Sequence, residues 1–275
     1  MKRSPIYDFT DRVALVTGAG KETGIGFAIA KRLAADGATV VISDVCADIC
    51  DGDYARMPTP EELDALAEGI GGHGLIMDIC SDESVNSAAK EIADRFGRID
   101  FLVNNAGAGP APNLLEYMDL SMWRKTLDIN LTGTLMVTRA MLPLMTEAGS
   151  AVVNTASVAG KRPRTFGGAY CVTKAGVIMM TKVMAQETGG RGIRVNAICP
   201  GYILTDMTEW KWELKSKFLN VTVDEAREEE EAEVPLSRIG TPGEVADLAA
   251  FLLSDQARYI TGQAWNIDGG VITEI

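Results

Sequence analysis

Three residues whose side chains could move a proton lie close together in this sequence. Tyr170 follows Ser157 by thirteen residues, and Lys174 follows Tyr170 by four. Positions i and i+4 lie on one face of a helix, so Tyr170 and Lys174 are neighbours if residues 169–175 are helical. An ammonium group beside a phenol favours the phenolate, and we therefore predict that the pKa of Tyr170 lies below its usual value. A phenol with a pKa nearer neutrality is suited to general acid–base catalysis of a reaction at a substrate oxygen.

Ser157 and a glycine-rich turn both occupy positions where a ligand could bind. Ser157 follows an apolar run, residues 151–156, that is typical of a buried strand, and open α/β sheets bind ligands at the carboxyl ends of their strands. The glycine-rich turn at residues 17–26 joins an apolar run to a helical pattern. Glycines let the backbone approach a pyrophosphate, and the helix N-terminus adds amide donors. We therefore expect a dinucleotide at this turn.

Asp44 ends the second predicted strand, where a dinucleotide-binding unit carries the acid that bonds the adenosine ribose. A carboxylate accepts hydrogen bonds from the ribose hydroxyls of NAD and repels the 2′-phosphate of NADP. Lys21 in the glycine-rich turn is a contrary signal, because a cation there could pair with that phosphate. Asp44 occupies the position expected to bond the ribose, and we give it more weight than Lys21. The sequence therefore predicts NAD rather than NADP as the cofactor.

The remaining sequence contains the elements that must position these residues. Apolar runs that predict strands alternate with stretches that predict helices, which indicates a parallel sheet with helices on both faces. We predict an α/β fold in a single domain over residues 1–275, with a Rossmann-type doubly wound sheet of about seven strands. The predicted strands are residues 13–17, 38–43, 74–77, 99–103, 151–156, 193–198 and 264–267, and the predicted helices are residues 25–35, 81–96, 121–145, 170–187 and 242–253.

Residues 46–72 form a segment that is too long for a simple connection after the second predicted strand. Thr59 followed by Pro60 predicts that a helix begins inside it, with Thr59 as the N-cap. Cys46 and Cys50 lie near several aspartates, but no second cluster of Cys or His completes a zinc site, and we predict no metal.

Residues 205–234 form a second unusual segment. They carry Trp210, Trp212 and Phe218, which we expect to belong to a lid over an apolar or cyclic substrate. The acidic run that follows, residues 228–231, is interpreted as a solvated helix face.

Composition and charge exclude several classes of protein. A hydrophobic content of 47% with 23% charged residues is ordinary for a globular enzyme, and a net charge of −12 argues against nucleic acid as a partner. No apolar run reaches membrane-spanning length and the N-terminus lacks an apolar signal core, so we expect a cytoplasmic protein without a membrane partner. The five cysteines have scattered spacing, which does not suggest a disulfide framework. The only histidine, His73, is interpreted as a loop residue, which leaves no imidazole for a Ser-His-Asp hydrolase.

Taken in order, these residues resemble the classical short-chain dehydrogenase/reductase family over essentially the whole chain. The matching positions are the loop at residues 17–26, Asp78, residues 104–107, Asn130, Ser157, Tyr170, Lys174, Pro200, Gly201 and Thr205. The resemblance implies a nicotinamide-dependent oxidoreductase in which Tyr170 moves the hydroxyl proton and Ser157 orients the substrate oxygen. It also implies that Lys174 bonds the nicotinamide ribose and lowers the pKa of Tyr170.

The resemblance further implies how the cofactor is bound and how subunits assemble. Asp78 would contact the adenine ring, and Asn130 would hold a water molecule that links Lys174 to solvent. The expected cofactor-binding residues are Gly18, Gly20, Gly24, Ile25, Gly26, Asp44, Asp78, Asn105, Ala106, Gly107, Tyr170, Lys174, Pro200, Gly201 and Thr205. Members of the family usually pack the helices that correspond to residues 121–145 and 170–187 between subunits, which implies a homotetramer or a homodimer.

Two departures from the family's pattern leave alternatives open. The usual loop is Thr-Gly-x-x-x-Gly-x-Gly, and here two extra residues precede Gly24, so the phosphate contacts of residues 20–23 are open. A longer loop resembles the enoyl reductases of the same superfamily, although their spacing from tyrosine to lysine is longer than four residues. The segment at residues 46–72 resembles the insertion of the mycofactocin-associated branch, whose nicotinamide cofactor is thought to stay bound.

The sequence thus predicts an NAD(H)-dependent oxidoreductase that transfers a hydride between nicotinamide and a small-molecule secondary alcohol or ketone. The alternatives are a mycofactocin-type enzyme with non-exchangeable NAD, a non-catalytic NAD-sensing binding protein, and dehydration or epimerisation on the same scaffold. The full set of catalytic residue types argues against a pure binding protein, which has no need of a proton donor. An anionic substrate would need a basic residue near the site. The candidates, whose positions the sequence leaves open, are Arg162, Arg164, Lys211 and Lys215.

Overall fold

A seven-stranded parallel sheet forms the centre of the computed structural model, which describes residues 7–47, 56–109, 113–145 and 149–273. The strands are β1 (Val13–Thr17), β2 (Thr39–Asp44), β3 (His73–Ile76), β4 (Phe101–Asn104), β5 (Ala151–Thr155), β6 (Arg194–Pro200) and β7 (Ala264–Ile267). Their order is β3-β2-β1-β4-β5-β6-β7, and every neighbouring pair is parallel. The predicted Rossmann-type fold is confirmed. The strand order reverses between β1 and β4, which is where doubly wound sheets bind their ligands.

Helices cover both faces of the sheet. They are α1 (Ile25–Ala35), α2 (Pro60–Gly69), α3 (Asp82–Phe96), α4 (Leu120–Leu127), α5 (Gly133–Met141), α6 (Gly168–Thr188), α7 (Asp206–Leu219), α8 (Val223–Ala232) and α9 (Pro242–Leu253). On one face α1 and α9 pack together, with Leu33 and Leu252 fully buried. On the other face Ile92 of α3 and Met141 of α5 belong to a second buried cluster. Both sides of the inner strands are therefore in the core, as is typical of a parallel sheet, whereas the edge strands β3 and β7 are partly exposed.

The helix predicted as one element at residues 121–145 is interrupted. A π-helical turn, Asp128–Thr132, joins α4 to α5. A π turn inserts one extra residue into a helix, and such turns are frequent at functional sites. This turn carries Asn130, whose Nδ2 donates to the carbonyl oxygen of Ala108 at 2.6 Å and whose Oδ1 accepts the Ala108 N–H at 3.0 Å. The turn thereby fixes the loop after β4.

His73 was predicted as a loop residue, and this is wrong because it begins β3 and pairs with Val41. The neighbouring glycines suggested a loop, but an edge strand needs backbone pairing on one side only. The Nδ1 atom of His73 lies 2.8 Å from Nη2 of Arg95. A guanidinium only donates, so Nδ1 accepts the hydrogen bond. Burial and the charge of Arg95 lower the pKa of His73.

A chain of buried side-chain hydrogen bonds crosses the sheet near its carboxyl end. Asn104 and Asn154 lie opposite each other on β4 and β5, and Asn104 Nδ2 donates to Asn154 Oδ1 at 2.8 Å. Asn104 Nδ2 also donates to Thr138 Oγ1 of α5 at 2.8 Å. Asn154 Nδ2 donates to Thr181 Oγ1 of α6 at 2.9 Å. These bonds, which we call the amide chain, fix α5 and α6 against the two central strands.

The segment at residues 46–72 contains α2, so the predicted helix start is confirmed. Thr59 Oγ1 accepts the Glu62 N–H, and the Glu62 side chain accepts the Thr59 N–H, which is a complete capping box. Residues 48–55 of the segment, including Cys50, lie outside the described residues. The described part therefore shows how the segment returns to the sheet through α2 and β3.

The described ranges hold neither a metal-binding cluster nor a membrane-spanning helix. Among those residues, no three His, Cys, Asp or Glu side chains are grouped so that they could hold a metal ion. Each helix that the structure describes is too short or too polar to cross a membrane.

Candidate active site

A cleft of about 310 Å³ opens at the carboxyl ends of the central strands, where the strand order reverses. It brings together most of the predicted site residues, from both halves of the sequence. Those that line it are Gly18, Gly24, Ile25, Asp44, Asp78, Asn105, Ala106, Gly107, Ser157, Tyr170, Lys174, Pro200, Gly201 and Thr205. Gly20, Gly26 and Asn130 lie outside this lining and contact residues that belong to it.

The glycine loop after β1 is packed against the loop after β4. Gly18 has a φ of +62°, and a Cβ there would lie 2.6 Å from the Cα of Ala106. A Cβ on Gly26 would lie 2.5 Å from Nδ2 of Asn105, which donates to the Gly18 carbonyl oxygen at 2.9 Å. Asn105 Nδ2 also lies 3.1 Å from the carbonyl oxygen of Thr17. Side chains at Gly18 and Gly26 would therefore displace the loop from the floor of the cleft.

The two extra residues of the glycine loop form a turn that reaches the lid. The Gly24 N–H donates to the Lys21 carbonyl oxygen at 3.0 Å, and Thr23 Oγ1 donates to Asp206 Oδ1 at 2.6 Å. Gly24 is the N-cap of α1 and has an extended backbone without a side chain that caps the helix. The first amides of α1 are therefore available to an anion, as in other helix N-termini that bind phosphate.

Asp44 is fixed beside the glycine loop by backbone donors. The Gly20 N–H donates to Asp44 Oδ2 at 2.9 Å, and the Val45 N–H donates to Asp44 Oδ1 at 2.9 Å. The neighbouring Ser43 also lines the cleft, and its buried Oγ has no hydrogen-bond partner in the described part of the chain. Lys21 is half-buried, which lowers its pKa, while the charges of Asp206 and Asp44 oppose that shift. The polar groups at this end of the cleft therefore suit a ligand with hydroxyl groups.

Lys174 is a buried cation at the centre of the cleft. It is 4% exposed, and its Nζ donates to the Thr155 carbonyl oxygen at 2.8 Å. Burial lowers the pKa of Lys174 to about 8. Its Nζ lies 5.6 Å from the centroid of the Tyr170 ring, as expected for neighbours on one face of α6. Lys174 is therefore poised to exchange its proton near neutral pH.

The predicted fall in the pKa of Tyr170 is wrong for this structure. Burial raises the pKa of Tyr170, and a hydrogen bond with Ser157 only opposes that shift in part. The reason is that the Lys174 ammonium is itself buried and donates to Thr155 rather than to the phenol. Ser157 Oγ accepts the Ala159 N–H at 3.1 Å, which holds the hydroxyl group towards Tyr170. The Ser157 hydroxyl group and the Tyr170 phenol therefore both face the cleft and act on each other there.

Asn130 lies beside Gly107, which lines the cleft. A Cβ on Gly107 would lie 2.7 Å from Asn130 Oδ1 and 3.3 Å from Lys174 Nζ. Asn130 Oδ1 and Lys174 Nζ therefore both border the small space beside Gly107 that a side chain there would occupy. The carbonyl oxygen of Asn130 accepts the hydroxyl group of Thr134 at 2.9 Å.

The predicted substrate lid is a pair of helices, α7 and α8, and its aromatic residues do not face the cleft. Trp212 is 3% exposed and packs with Ala226 and Ile239 in a small cluster of the lid's own. Its Nε1 donates to Glu230 Oε2 at 3.0 Å, so Glu230 is buried and the acidic run is only partly the solvated face that we predicted. Phe218 is 79% exposed.

Trp210 lines a second cavity, of about 700 Å³, between the glycine loop, α2 and α7. None of Trp210, Trp212 and Phe218 is among the described residues that line the cleft. The lid instead contributes its first turn, with Asp206, Met207 and Thr208. Tryptophan and phenylalanine were predicted to cover the substrate because of their size, whereas the tight connection after β6 brings only the start of α7 to the site.

Several residues that line the cleft give no chemical signal in the sequence. They are apolar side chains, and only the strand-end position of some of them could have indicated the site: Met57, Met77, Ile79, Ala108, Ile129, Ala156, Ile203 and Met207. Ser43 could have been found, because it precedes Asp44 at the end of β2.

Known proteins resemble this chain over nearly its whole length. The family model described as enoyl-(acyl carrier protein) reductase matches residues 18–272. The 3-oxoacyl-[acyl-carrier-protein] reductase FabG of Aquifex aeolicus (strain VF5) is 38% identical over 261 residues, which cover 94% of this chain and 97% of the relative. The crystal structure of carveol dehydrogenase from Mycobacterium avium in complex with NAD has a TM-score of 0.89 and 27% identity, and the match covers 99% of this chain and 100% of that one. A short-chain dehydrogenase/reductase described as glucose/ribitol dehydrogenase from Brucella melitensis has a TM-score of 0.83 and 30% identity, with 98% and 99% covered.

Proposed function

The chain belongs to the short-chain dehydrogenase/reductase family of oxidoreductases, and on this premise we propose that it uses NAD(H) to interconvert a secondary alcohol and a ketone. The observation that carries the proposal is that Ser157, Tyr170 and Lys174 line the same cleft as Asp44 and the glycine loop. The NAD complex of the Mycobacterium avium relative supports the choice of cofactor.

The described residues fit a nicotinamide dinucleotide. The amides at the start of α1 suit the pyrophosphate, because Gly24 leaves them without a side-chain cap. Asp44, held beside the glycine loop by the Gly20 N–H, suits the hydroxyl groups of a ribose. Gly18 lines the cleft, and the absence of a side chain there lets the glycine loop pack directly on Ala106. When bound, the cofactor supplies the hydride chemistry, and the protein supplies position and protons.

Tyr170 is the general acid/base of the proposed reaction. Its phenol gives a proton to the substrate oxygen in ketone reduction and takes one in alcohol oxidation. Ser157 donates a hydrogen bond to the same oxygen, where negative charge develops. Lys174, whose pKa burial lowers to about 8, can take up or release a proton at Nζ beside the Tyr170 ring.

Fluorescence titration of the purified protein with NADH and NADPH tests the proposal, followed by turnover of a panel of secondary alcohols and ketones. We expect tight NADH binding, weaker NADPH binding and turnover that depends on the cofactor. Tight NADH binding without turnover of any substrate would instead favour the non-catalytic NAD-sensing role.

Asp44→Asn should reduce the preference for NADH over NADPH by about tenfold. The amide oxygen can still accept the Gly20 N–H, but the charge that repels a 2′-phosphate is lost, and one charge interaction is worth roughly 1–2 kcal/mol. The Kd values of both cofactors measure this preference, with Asp64→Asn on α2 as the control. An unchanged ratio of the two Kd values in Asp44→Asn would mean that another residue distinguishes the adenosine ribose of NADH from that of NADPH.

Gly26→Ala should weaken NADH binding by at least about tenfold and lower the free energy of unfolding by about 1–3 kcal/mol. The new Cβ would lie 2.5 Å from Asn105 Nδ2 and would push the glycine loop out of place. Gly69→Ala is the matched control, since a Cβ there has no neighbour within 4 Å. Binding and unfolding of Gly26→Ala that equal those of the wild type would contradict the predicted fit.

A specific observation favours a second candidate function, the mycofactocin-type enzyme in which NAD does not exchange. The lid is tied to the glycine loop by the bond from Thr23 to Asp206, and Met57 of the segment at residues 46–72 lines the cleft. Both features would oppose release of a bound dinucleotide. Absorbance and mass spectra of freshly purified protein distinguish the two functions, because only this one predicts bound nucleotide that free NAD does not replace.

We also propose that α5 and α6 form subunit contacts, as the resemblance implied for a homotetramer. Leu135 of α5 and Val172, Met179 and Val183 of α6 are between 47% and 59% exposed, which is unusual for apolar side chains on well-packed helices. Light scattering after size exclusion would give the number of subunits.

A further inference from the structure

The loop between Ser157 and Tyr170 is basic, although the net charge of the chain is −12. It carries Lys161, Arg162 and Arg164. Lys161 has structural partners, because its Nζ donates to Asn266 Oδ1 at 2.6 Å and to a backbone carbonyl of β7 at 2.7 Å. The two arginines make no ion pair with any residue that the structure describes. In contrast, seven other arginines do so: Arg12, Arg32, Arg56, Arg98, Arg139, Arg227 and Arg238.

Arg164 is held by an aromatic ring beside the cleft. The guanidinium carbon of Arg164 lies 4.8 Å from the centroid of the Tyr202 ring. Tyr202 follows β6 and stands between Gly201 and Ile203, which both line the cleft. The Gly167 N–H donates to the Arg164 carbonyl oxygen at 3.1 Å, which closes the turn directly before α6. Arg164 is exposed and, like Tyr202, is not itself among the described residues that line the cleft, but the Tyr202 ring holds it next to two residues that are.

The other charged groups around Tyr202 already have partners. Lys211 lies 5.0 Å from the same ring and forms an ion pair with Glu230. The Tyr202 hydroxyl group donates to Glu233 Oε2 at 2.8 Å. Among the described residues of this group, Arg164 alone keeps its N–H donors unbonded. Its charge also reaches the cleft, since it opposes the rise in the pKa of Tyr170 that burial causes.

We propose that Arg164 binds a carboxylate of the substrate, so that the substrate is an oxo or hydroxy acid rather than a neutral cyclic alcohol. The planar guanidinium offers parallel N–H donors that match a carboxylate, and the Tyr202 ring holds the plane in position. This role rests on the proposed function, because the reacting oxygen of the same substrate lies at Ser157 and Tyr170. The aromatic residues of the lid, which would have favoured a neutral apolar substrate, do not face the cleft.

Steady-state reduction of acetoacetate and levulinate with NADH, each beside its neutral methyl ester, tests this role. The wild type should prefer at least one acid over its ester, mainly through KM. Arg164→Gln should lower kcat/KM for that acid by about tenfold to a hundredfold, the range of a hydrogen bond to a charged group, and leave the ester unchanged. Arg164→Lys keeps the charge but loses the parallel N–H donors of the guanidinium. Its kcat/KM for that acid should therefore lie between the values of the wild type and of Arg164→Gln.

Arg162→Gln is the matched control, because Arg162 is exposed on the same loop and the structure gives it no aromatic platform. It should keep the preference of the wild type. Equal turnover of acids and esters by the wild type, or an equal loss for both in Arg164→Gln, would overturn the role of Arg164 and leave the proposed function standing. Absence of turnover for acids and esters alike would contradict the proposed function and, with it, this role.

Discussion

Replacement of Tyr170 by phenylalanine is expected to lower kcat by about a hundredfold to ten-thousandfold, the usual contribution of a general acid or base. The Kd for NADH should change little, because the ring stays in place and only the hydroxyl group is lost. Burial raises the pKa of Tyr170, and alcohol oxidation needs the phenolate. The wild-type rate of oxidation should therefore rise with pH, and Tyr170→Phe should lose this dependence.

Tyr202→Phe is the control for this experiment. It removes another hydroxyl group near the cleft, one that bonds Glu233, but it keeps the ring beside Arg164. We expect turnover close to that of the wild type and an unchanged pH profile. A Tyr170→Phe enzyme that works at the wild-type rate would remove Tyr170 from the proposed mechanism.

Lys174→Met should abolish most of the activity and yet stabilise the fold by about 1–3 kcal/mol at neutral pH. Methionine has a similar length and no charge, so the variant avoids the burial of a cation that is 4% exposed. The variant also loses the hydrogen bond from Lys174 Nζ to the Thr155 carbonyl oxygen, which reduces the expected gain in stability. Denaturant unfolding at several pH values measures the effect, alongside turnover.

The gain from Lys174→Met should depend on pH in a defined direction. The pKa of Lys174 is lowered from 10.5 to about 8 in the folded chain. Between these two values the unfolded chain binds a proton that the folded chain has lost, so the stability of the wild type rises with pH. The variant should therefore have its full advantage below about pH 8 and lose it by pH 10.5.

Lys182→Met provides the control, because Lys182 is exposed on the same helix. It should not produce a gain that depends on pH. Two outcomes would contradict the prediction that Lys174 is buried as a cation. One is a Lys174→Met protein that is less stable than the wild type at pH 7, and the other is a gain in stability that is the same at pH 7 and pH 10.

The sheet and the pairing of Tyr170 with Lys174 on one helix could be predicted because their signals are local in the sequence. The strand Val13–Thr17 is a continuous apolar run, and Tyr170 and Lys174 are one helical turn apart, so neither depends on distant residues. The π turn at Asp128–Thr132 could not be predicted, because one extra residue in a helix hardly changes its periodicity.

Properties that depend on distant partners were the ones that the sequence left open or predicted wrongly. The type of Trp212 does not reveal whether it faces substrate or Glu230, which lies eighteen residues further on in a different helix. The pKa of Tyr170 depends on how completely the fold excludes water, and the motif alone suggested the opposite direction. The position of Arg164 became clear only when the segment after β6 placed Tyr202 beside it.

The amide chain has a consequence for how the strands choose their alignment. If β5 slipped along β4 by two residues, every side chain would keep its face of the sheet, and the apolar core would tolerate the error. Asn154 would then lie opposite Leu102 and no longer opposite Asn104. The hydrogen bond between the two side-chain amides would be lost while both remained buried. Each such orphan costs about 1–3 kcal/mol. The two asparagines thus select the correct strand register, mainly because a misaligned sheet would be destabilised by their unpaired amide groups.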